Sequence, residues 1–185
     1  MKKLIYIFTV GFLIIAALWL LRHPIYGFFA TTHPNAEMPA FELQSSDGSM
    51  IRSSELRGKI LVLDFWTTWC AVCKKSFPEF QGIIAKFKNH PEVVFLAVNT
   101  GEGGDSFETA LDFVKRHGYT FPFAYDPNSV LSKKMNVTNY PTVVVIDQTG
   151  KMRFRHIGYS STFENYAALI IGKIEELLGI LRGDS

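Results

Sequence analysis

Two cysteines, Cys70 and Cys73, are the only ones in a chain of 185 residues, and both lie in the stretch LDFWTTWCAVCKKSFPEF at 63–80. Sulfur at this spacing can run a dithiol–disulfide cycle. The run KILVLDFW (59–66) reads as a buried strand, and the pattern from Cys70 to about Lys88 is helical. Cys70 then falls at the first turn of a helix and Cys73 one turn in. Unpaired N–H groups and the partial positive charge at a helix N-terminus favour a thiolate, which is the reactive form. Lys74 and Lys75 add positive charge nearby. A mixed disulfide formed at Cys70 can be resolved by Cys73 from the same turn. Two other uses of the pair stay open. A zinc site needs two further ligands, and the histidines at 23, 33, 90, 117 and 156 show no paired spacing, so no metal or cofactor is expected. A purely structural disulfide would close too short a loop to stabilise much through chain entropy.

Asp64 is the second residue of chemical interest. An acid in the middle of ILVLDFW must be buried, which raises its pKa and fits it to exchange protons with Cys73. The competing reading is a structural carboxyl bonded to a backbone turn, since buried polar groups need partners in any case.

The elements that must position these residues follow from pattern and punctuation. AFELQ and DGSMI, around Asp47-Gly48, suggest a hairpin. After the strand at 59–66, the helix from Cys70 carries Phe77, Phe80, Ile83, Ile84 and Phe87 on one face, and VVFLAVN (93–99) is a second buried strand. GEGGDS (101–106) is a Gly-rich loop, Phe107 to His117 a helix, FPFAYD a short strand and PNSVLSKKMN a short helix. PTVVVID (141–147) and KMRFRHIGY (151–159) form an antiparallel pair about Gln148-Thr149-Gly150. A last helix carries an apolar stripe of Phe163, Tyr166, Ala167, Ile170, Ile174, Leu177, Leu178 and Leu181, with Ser161 and Glu164 as a capping box. Strands alternating with helices imply an α/β domain over 37–185 with a mainly parallel core, to which a terminal hairpin adds antiparallel edges.

The front of the chain has a different composition. Leu4 to Leu21 is eighteen residues without a charge, behind Lys2 and Lys3 and ahead of Arg22, about the minimum that spans a bilayer. It is read as an uncleaved transmembrane signal-anchor at 4–21, with a cytoplasmic tail at 1–3 and a linker at 22–36. The positive-inside bias places the domain on the extracytoplasmic side. A cleaved signal peptide is the alternative, although Phe28 stands before Ala30 where a small residue is wanted. Nineteen basic against seventeen acidic residues, with no basic run, exclude a nucleic-acid partner.

DFWTTWCAVCK resembles the active-site segment of thioredoxins, and MPAFELQSSDGSMIRSSELRGKILVLDFWTTWC resembles the opening of the TlpA/ResA-type membrane-anchored thiol–disulfide oxidoreductases. Trp69 precedes the first cysteine, Pro78 lies five residues after Cys73, Tyr140-Pro141-Thr142 opens a strand, and Gly158 ends one. The resemblance covers roughly 37 to 181. It implies a thioredoxin-like fold with an N-terminal hairpin and a central helical insertion at about 101–135. Cys70 is then the nucleophile and Cys73 the resolver of a redox-active disulfide, with Asp64 the proton acceptor. Trp69, Tyr140 and Pro141 would meet substrate, with a cis Tyr140–Pro141 bond exposing backbone groups that can pair with an extended segment. The implied substrates are protein disulfides, such as those of apocytochrome c before haem attachment, and the implied partner is a membrane electron donor.

Two departures from the family pattern matter. Ala71-Val72 lacks the proline usual between the cysteines, leaving a disulfide oxidase or isomerase as an alternative, and Ser76 stands where many ResA-like proteins have a glutamate. A thiol peroxidase is a further alternative, with Thr67 three before Cys70 but Leu63 where its loop wants proline. A copper-binding module of the same fold would want a longer cysteine spacing and a partner histidine.

Overall fold

The computed structural model describes residues 35–160 and 165–179. The expected membrane span at 4–21 and nearly all of the linker lie outside them. The chain divides after Thr31 into two units, and the described residues belong to the second. Among the described residues no helix is long and apolar enough to cross a membrane.

The elements are β1 (Glu42–Ser45), β2 (Met50–Arg52), β3 (Ile60–Trp66), α1 (Ala71–Lys86), β4 (Val93–Asn99), α2 (Phe107–Arg116), β5 (Phe123–Tyr125), α3 (Val130–Lys134), β6 (Thr142–Ile146), β7 (Met152–Ile157) and α4 (Tyr166–Leu178). The strands form one sheet in the order β2-β1-β5-β4-β3-β6-β7. The β1–β2 hairpin turns where Asp47 and Gly48 predict, with Gly48 at φ 87° and the Asp47 carboxylate accepting the Ser49 N–H at 2.9 Å.

The expectation of a mainly parallel core is corrected. Only β3–β4 and β4–β5 are parallel; β1–β2 and β6–β7 are the expected antiparallel hairpins, and β1–β5 and β3–β6 are antiparallel as well. A parallel return to the sheet takes a long crossover. Here the chain leaves β5, passes through the short α3 and enters β6 from the same end at which β3 stops. Its register pairs Thr142 with Phe65, so Tyr140 and Pro141 lie at the end of β3 from which the chain runs on to the cysteines.

Strand alternation divides the core in two. On one face Ile60, Val62, Trp66, Ala97, Val143 and Val145 pack with Cys73, Phe77 and Phe80 of α1, Ala110 and Phe113 of α2, and Tyr166, Ile170 and Ile174 of α4. On the other, Leu61, Leu63, Phe65, Leu96 and Val98 pack with Leu131, Met135 and Val137. All seven residues of β3 are buried, as a central strand covered on both faces requires.

The last helix differs at its ends. Ser161, Phe163, Glu164 and Leu181 lie outside the described residues. The cap observed on α4 is Asn165, whose side-chain oxygen accepts the Ala168 N–H at 3.0 Å. At the other end Gly179, at φ 77°, turns the chain out of the helix.

Candidate active site: a dithiol at a helix start

Cys70 is the N-cap of α1. Its sulfur accepts the Cys73 N–H at 3.0 Å, occupying one of the donors that a helix start leaves unpaired. The two cysteines are joined as a disulfide. Cys70 is 6% exposed and Cys73 not at all, so an incoming group reaches only the first sulfur. Of the two lysines expected to favour the thiolate, Lys74 places its ammonium over the Phe113 ring, 5.2 Å from the centroid, so its charge is directed onto α2. Pro78 sits inside α1.

Around the sulfurs, the structure brings together three of the residues singled out in the sequence. The Tyr140–Pro141 bond is cis. The rings of Trp69 and Tyr140 meet edge to face with centroids 6.0 Å apart. Burial pushes the Tyr140 phenol up to about 12, so it stays protonated at any physiological pH. Trp69, 54% exposed, and Val72 present apolar surface beside Cys70.

Asp64 is fully buried, and burial alone raises its pKa well above the usual carboxylate range. It shares the sheet face of Ile60, Val62 and Trp66, which α1 and α4 cover, and its cross-strand neighbours are Ala97 and Val143. Neither carboxyl oxygen has a hydrogen-bond partner among the described residues, so the structural carboxyl bonded to a turn is not what is found. Tyr166 of α4 is fully buried on this face, and its own pKa is pushed up by burial, with the charges of Asp64 and Glu79 adding to the effect. Ser76, at the position of the family glutamate, is buried and donates its hydroxyl to the Cys73 carbonyl at 3.0 Å.

Sequence reasoning missed the loop that flanks the dithiol. Asp105 accepts hydrogen bonds from the Thr68 N–H at 2.7 Å, from the Thr68 hydroxyl and from Asn99 Nδ2 at 2.9 Å. The Trp69 indole N–H donates to the Glu102 carbonyl at 3.0 Å. GEGGDS signalled only a turn-rich loop. Three glycines within four residues, followed by an acid, were the available hint that a backbone approaches something closely there. Among the described residues no group of three or more His, Cys, Asp or Glu is placed to hold a metal ion.

Comparison with known proteins decides the family. The profile of the AhpC/TSA family matches residues 34–155. The chain belongs to the AhpC/TSA family. Within it the chain is ResA-like. It is 34% identical over 117 residues to the thiol-disulfide oxidoreductase ResA of Bacillus subtilis, covering 63% of this chain and 63% of that one. Thus it spans less than two thirds of that relative's length. It is 32% identical over 136 residues to ResA of Bacillus cereus, covering 71% of this chain and 76% of that relative. Among solved structures, the exposed lipoprotein thioredoxin Etrx1 of Streptococcus pneumoniae aligns at 30% identity with a TM-score of 0.65, over 75% of this chain and 100% of that chain. The α/β fold of this AhpC/TSA member is therefore thioredoxin-like, as the resemblance implies, and it carries a Cys70–Cys73 disulfide.

Proposed function

We propose that this protein is a membrane-anchored thiol–disulfide oxidoreductase that works outside the cytoplasm and reduces disulfides in other proteins. The observation that carries the reading is the unequal placement of the two sulfurs. Cys70 caps α1 at the surface beside an exposed indole, whereas Cys73 is enclosed behind it. In the reduced state the Cys70 thiolate attacks one sulfur of a substrate disulfide, and the other leaves as a thiolate that takes up a proton. Cys73 then loses its proton to the Asp64 carboxylate and attacks Cys70 Sγ. The second substrate sulfur departs and is protonated in turn, and the Cys70–Cys73 disulfide remains. Two electrons have passed to the substrate, and a donor dithiol restores the pair. Trp69, Tyr140 and Pro141 form the surface on which the substrate segment lies.

The resemblance to ResA supports substrates of the apocytochrome c kind and a membrane-embedded electron donor. It equally supports anchoring through 4–21, with the domain on the outer or periplasmic side. The test is the equilibrium redox potential of Cys70/Cys73 in dithiothreitol and glutathione buffers, together with reduction of a protein disulfide. A potential near that of thioredoxin, about −270 mV, supports a reductant. A potential nearer that of strong oxidants, about −120 mV, would move the protein to the oxidase reading that Ala71-Val72 leaves open.

A further inference from the structure

We propose that the loop from Gly101 to Asp105 is the specificity wall of the dithiol site: Asp105 ties it to the cysteine-bearing segment, Gly103 seats the Trp69 ring, and the ring so held selects extended polypeptide disulfides over small ones. This rests on the redox reading above and adds the part that chooses the substrate.

Trp69 is more than half exposed, yet it is held on two sides. Its indole N–H is bonded to the Glu102 carbonyl, and its ring edge lies on the bare Cα of Gly103. A Cβ on Gly103 would fall 2.2 Å from Trp69 Nε1 and 2.8 Å from Cδ1, and the residue sits at φ +66°, so two independent constraints demand glycine. The ring also meets Tyr140, the residue before Pro141, edge to face. One indole thus joins the Gly-rich loop to the residue before the cis Pro141.

Asp105 supplies the rigidity. Its buried carboxyl group receives the backbone N–H and the hydroxyl of Thr68, the residue just before Trp69, and the side-chain amide of Asn99 at the end of β4. Asn99 in turn accepts the Gly101 N–H at 3.1 Å, and the Tyr125 hydroxyl donates to the Asp105 carbonyl at 2.9 Å. These bonds tie the loop to two strand ends and to the cysteine segment, so it is coupled to Thr68 and Trp69. A flat aromatic face fixed in advance loses little side-chain entropy on binding. A long peptide collects that gain along its length. A small disulfide, touching only Cys70, collects almost none of it.

The test compares the full chain in detergent with Gly103→Ala, Asp105→Ala and Asp105→Asn. The substrates are a ten-residue peptide closed by a disulfide and bis(2-hydroxyethyl) disulfide. For Gly103→Ala and Asp105→Ala, KM for the peptide rises at least fivefold more than KM for the small disulfide. Asp105→Asn restores most of the preference, because the amide oxygen still accepts from Thr68 N–H and Asn99 while the Thr68 hydroxyl turns to accept from its NH2. Equal losses on both substrates, or none on either, overturn the wall. Hydrogen exchange of the Trp69 indole N–H, followed by NMR, needs no turnover. It accelerates in Gly103→Ala if the loop seats the ring, and an unchanged rate also overturns the proposal. A wild type that exchanges with neither disulfide, but whose indole responds to Gly103→Ala, would sink the redox reading and not the seat.

Discussion

The Asp64 carboxyl lies on a strand buried along its whole length, and neither oxygen meets a donor among the described residues. In the unfolded chain such a group ionises near its ordinary 3.8, whereas in the fold it holds its proton to a much higher pH. Between those two values the folded state binds the extra proton, so stability falls as pH rises through that window. Asp64→Asn removes the effect without opening a cavity. Its stabilisation, read from urea unfolding, is therefore larger at pH 7.5 than at pH 3, and a gain independent of pH would disprove the assignment. The same substitution removes the base proposed for Cys73 and slows disulfide exchange roughly threefold or more near neutral pH. Exchange that keeps its wild-type rate in Asp64→Asn would hand the proton to water. Ser76 is fully buried and its hydroxyl is bonded to the Cys73 carbonyl, so it offers no base in place of Asp64. The unequal exposure of the sulfurs leads to a separate prediction. Cys73→Ser accumulates mixed disulfides with substrate through Cys70, and Cys70→Ser does not; equal trapping by both, seen on non-reducing gels, would reverse the roles.

At the scale of elements, the β6–β7 hairpin is organised by one side chain. Asp147 accepts from the Thr149 N–H and hydroxyl, from the Lys151 N–H and from Arg153 Nε. Burial opposes its ionisation, yet these donors outweigh burial and hold its pKa at about 2, below the ordinary 3.8. The folded state therefore keeps the carboxylate where the unfolded chain would protonate it. The stabilisation is complete above about pH 4 and is lost as pH falls toward 2. Asp147→Asn flattens that acid limb in thermal melts, and a limb identical to wild type would show that other carboxylates set it. The start of α4 allows a simpler measurement. Asn165→Ala removes the bond to the Ala168 N–H and costs about 1 kcal/mol. A loss near zero would mean that another group caps the helix.

For the whole molecule, the decisive feature is the direction of β6. Running antiparallel to β3, it delivers Tyr140 and Pro141 to the end of the sheet where Cys70 sits. A parallel β6 of five residues would have put them about 17 Å away at the far end. Burial of Trp66 among Phe77, Phe113 and Phe123 then locks β3 to α1, α2 and β5 on one face of the sheet. The proposed placement outside the cytoplasm is checked with a reporter fused after Ser185 that is active only when exported. Cytoplasmic activity of that fusion would invert the topology, and the redox partners would have to be sought inside the cell.

Much of this protein follows from local chemistry. Continuous apolar runs mark β3 and β4, because a strand covered on both faces has no polar side, and a 3.6-residue repeat marks α1. A pair of cysteines at a strand-to-helix junction announces the N-cap chemistry, since the cap is made by neighbours in sequence. The burial of Asp64 was legible for the same reason: no polar face exists on a strand that is apolar throughout. What the chain could not show locally is which distant segments meet. The direction of β6 depends on where a connection re-enters the sheet, and an apolar run of five residues reads the same in either direction. Asp105 meets Thr68 across 37 residues of chain. Gly103 is excluded from any other identity by an indole 34 positions before it. Neither leaves a periodic trace, because a single hydrogen-bonding carboxyl and a single missing Cβ are required by one close approach in space and by nothing in their own neighbourhood.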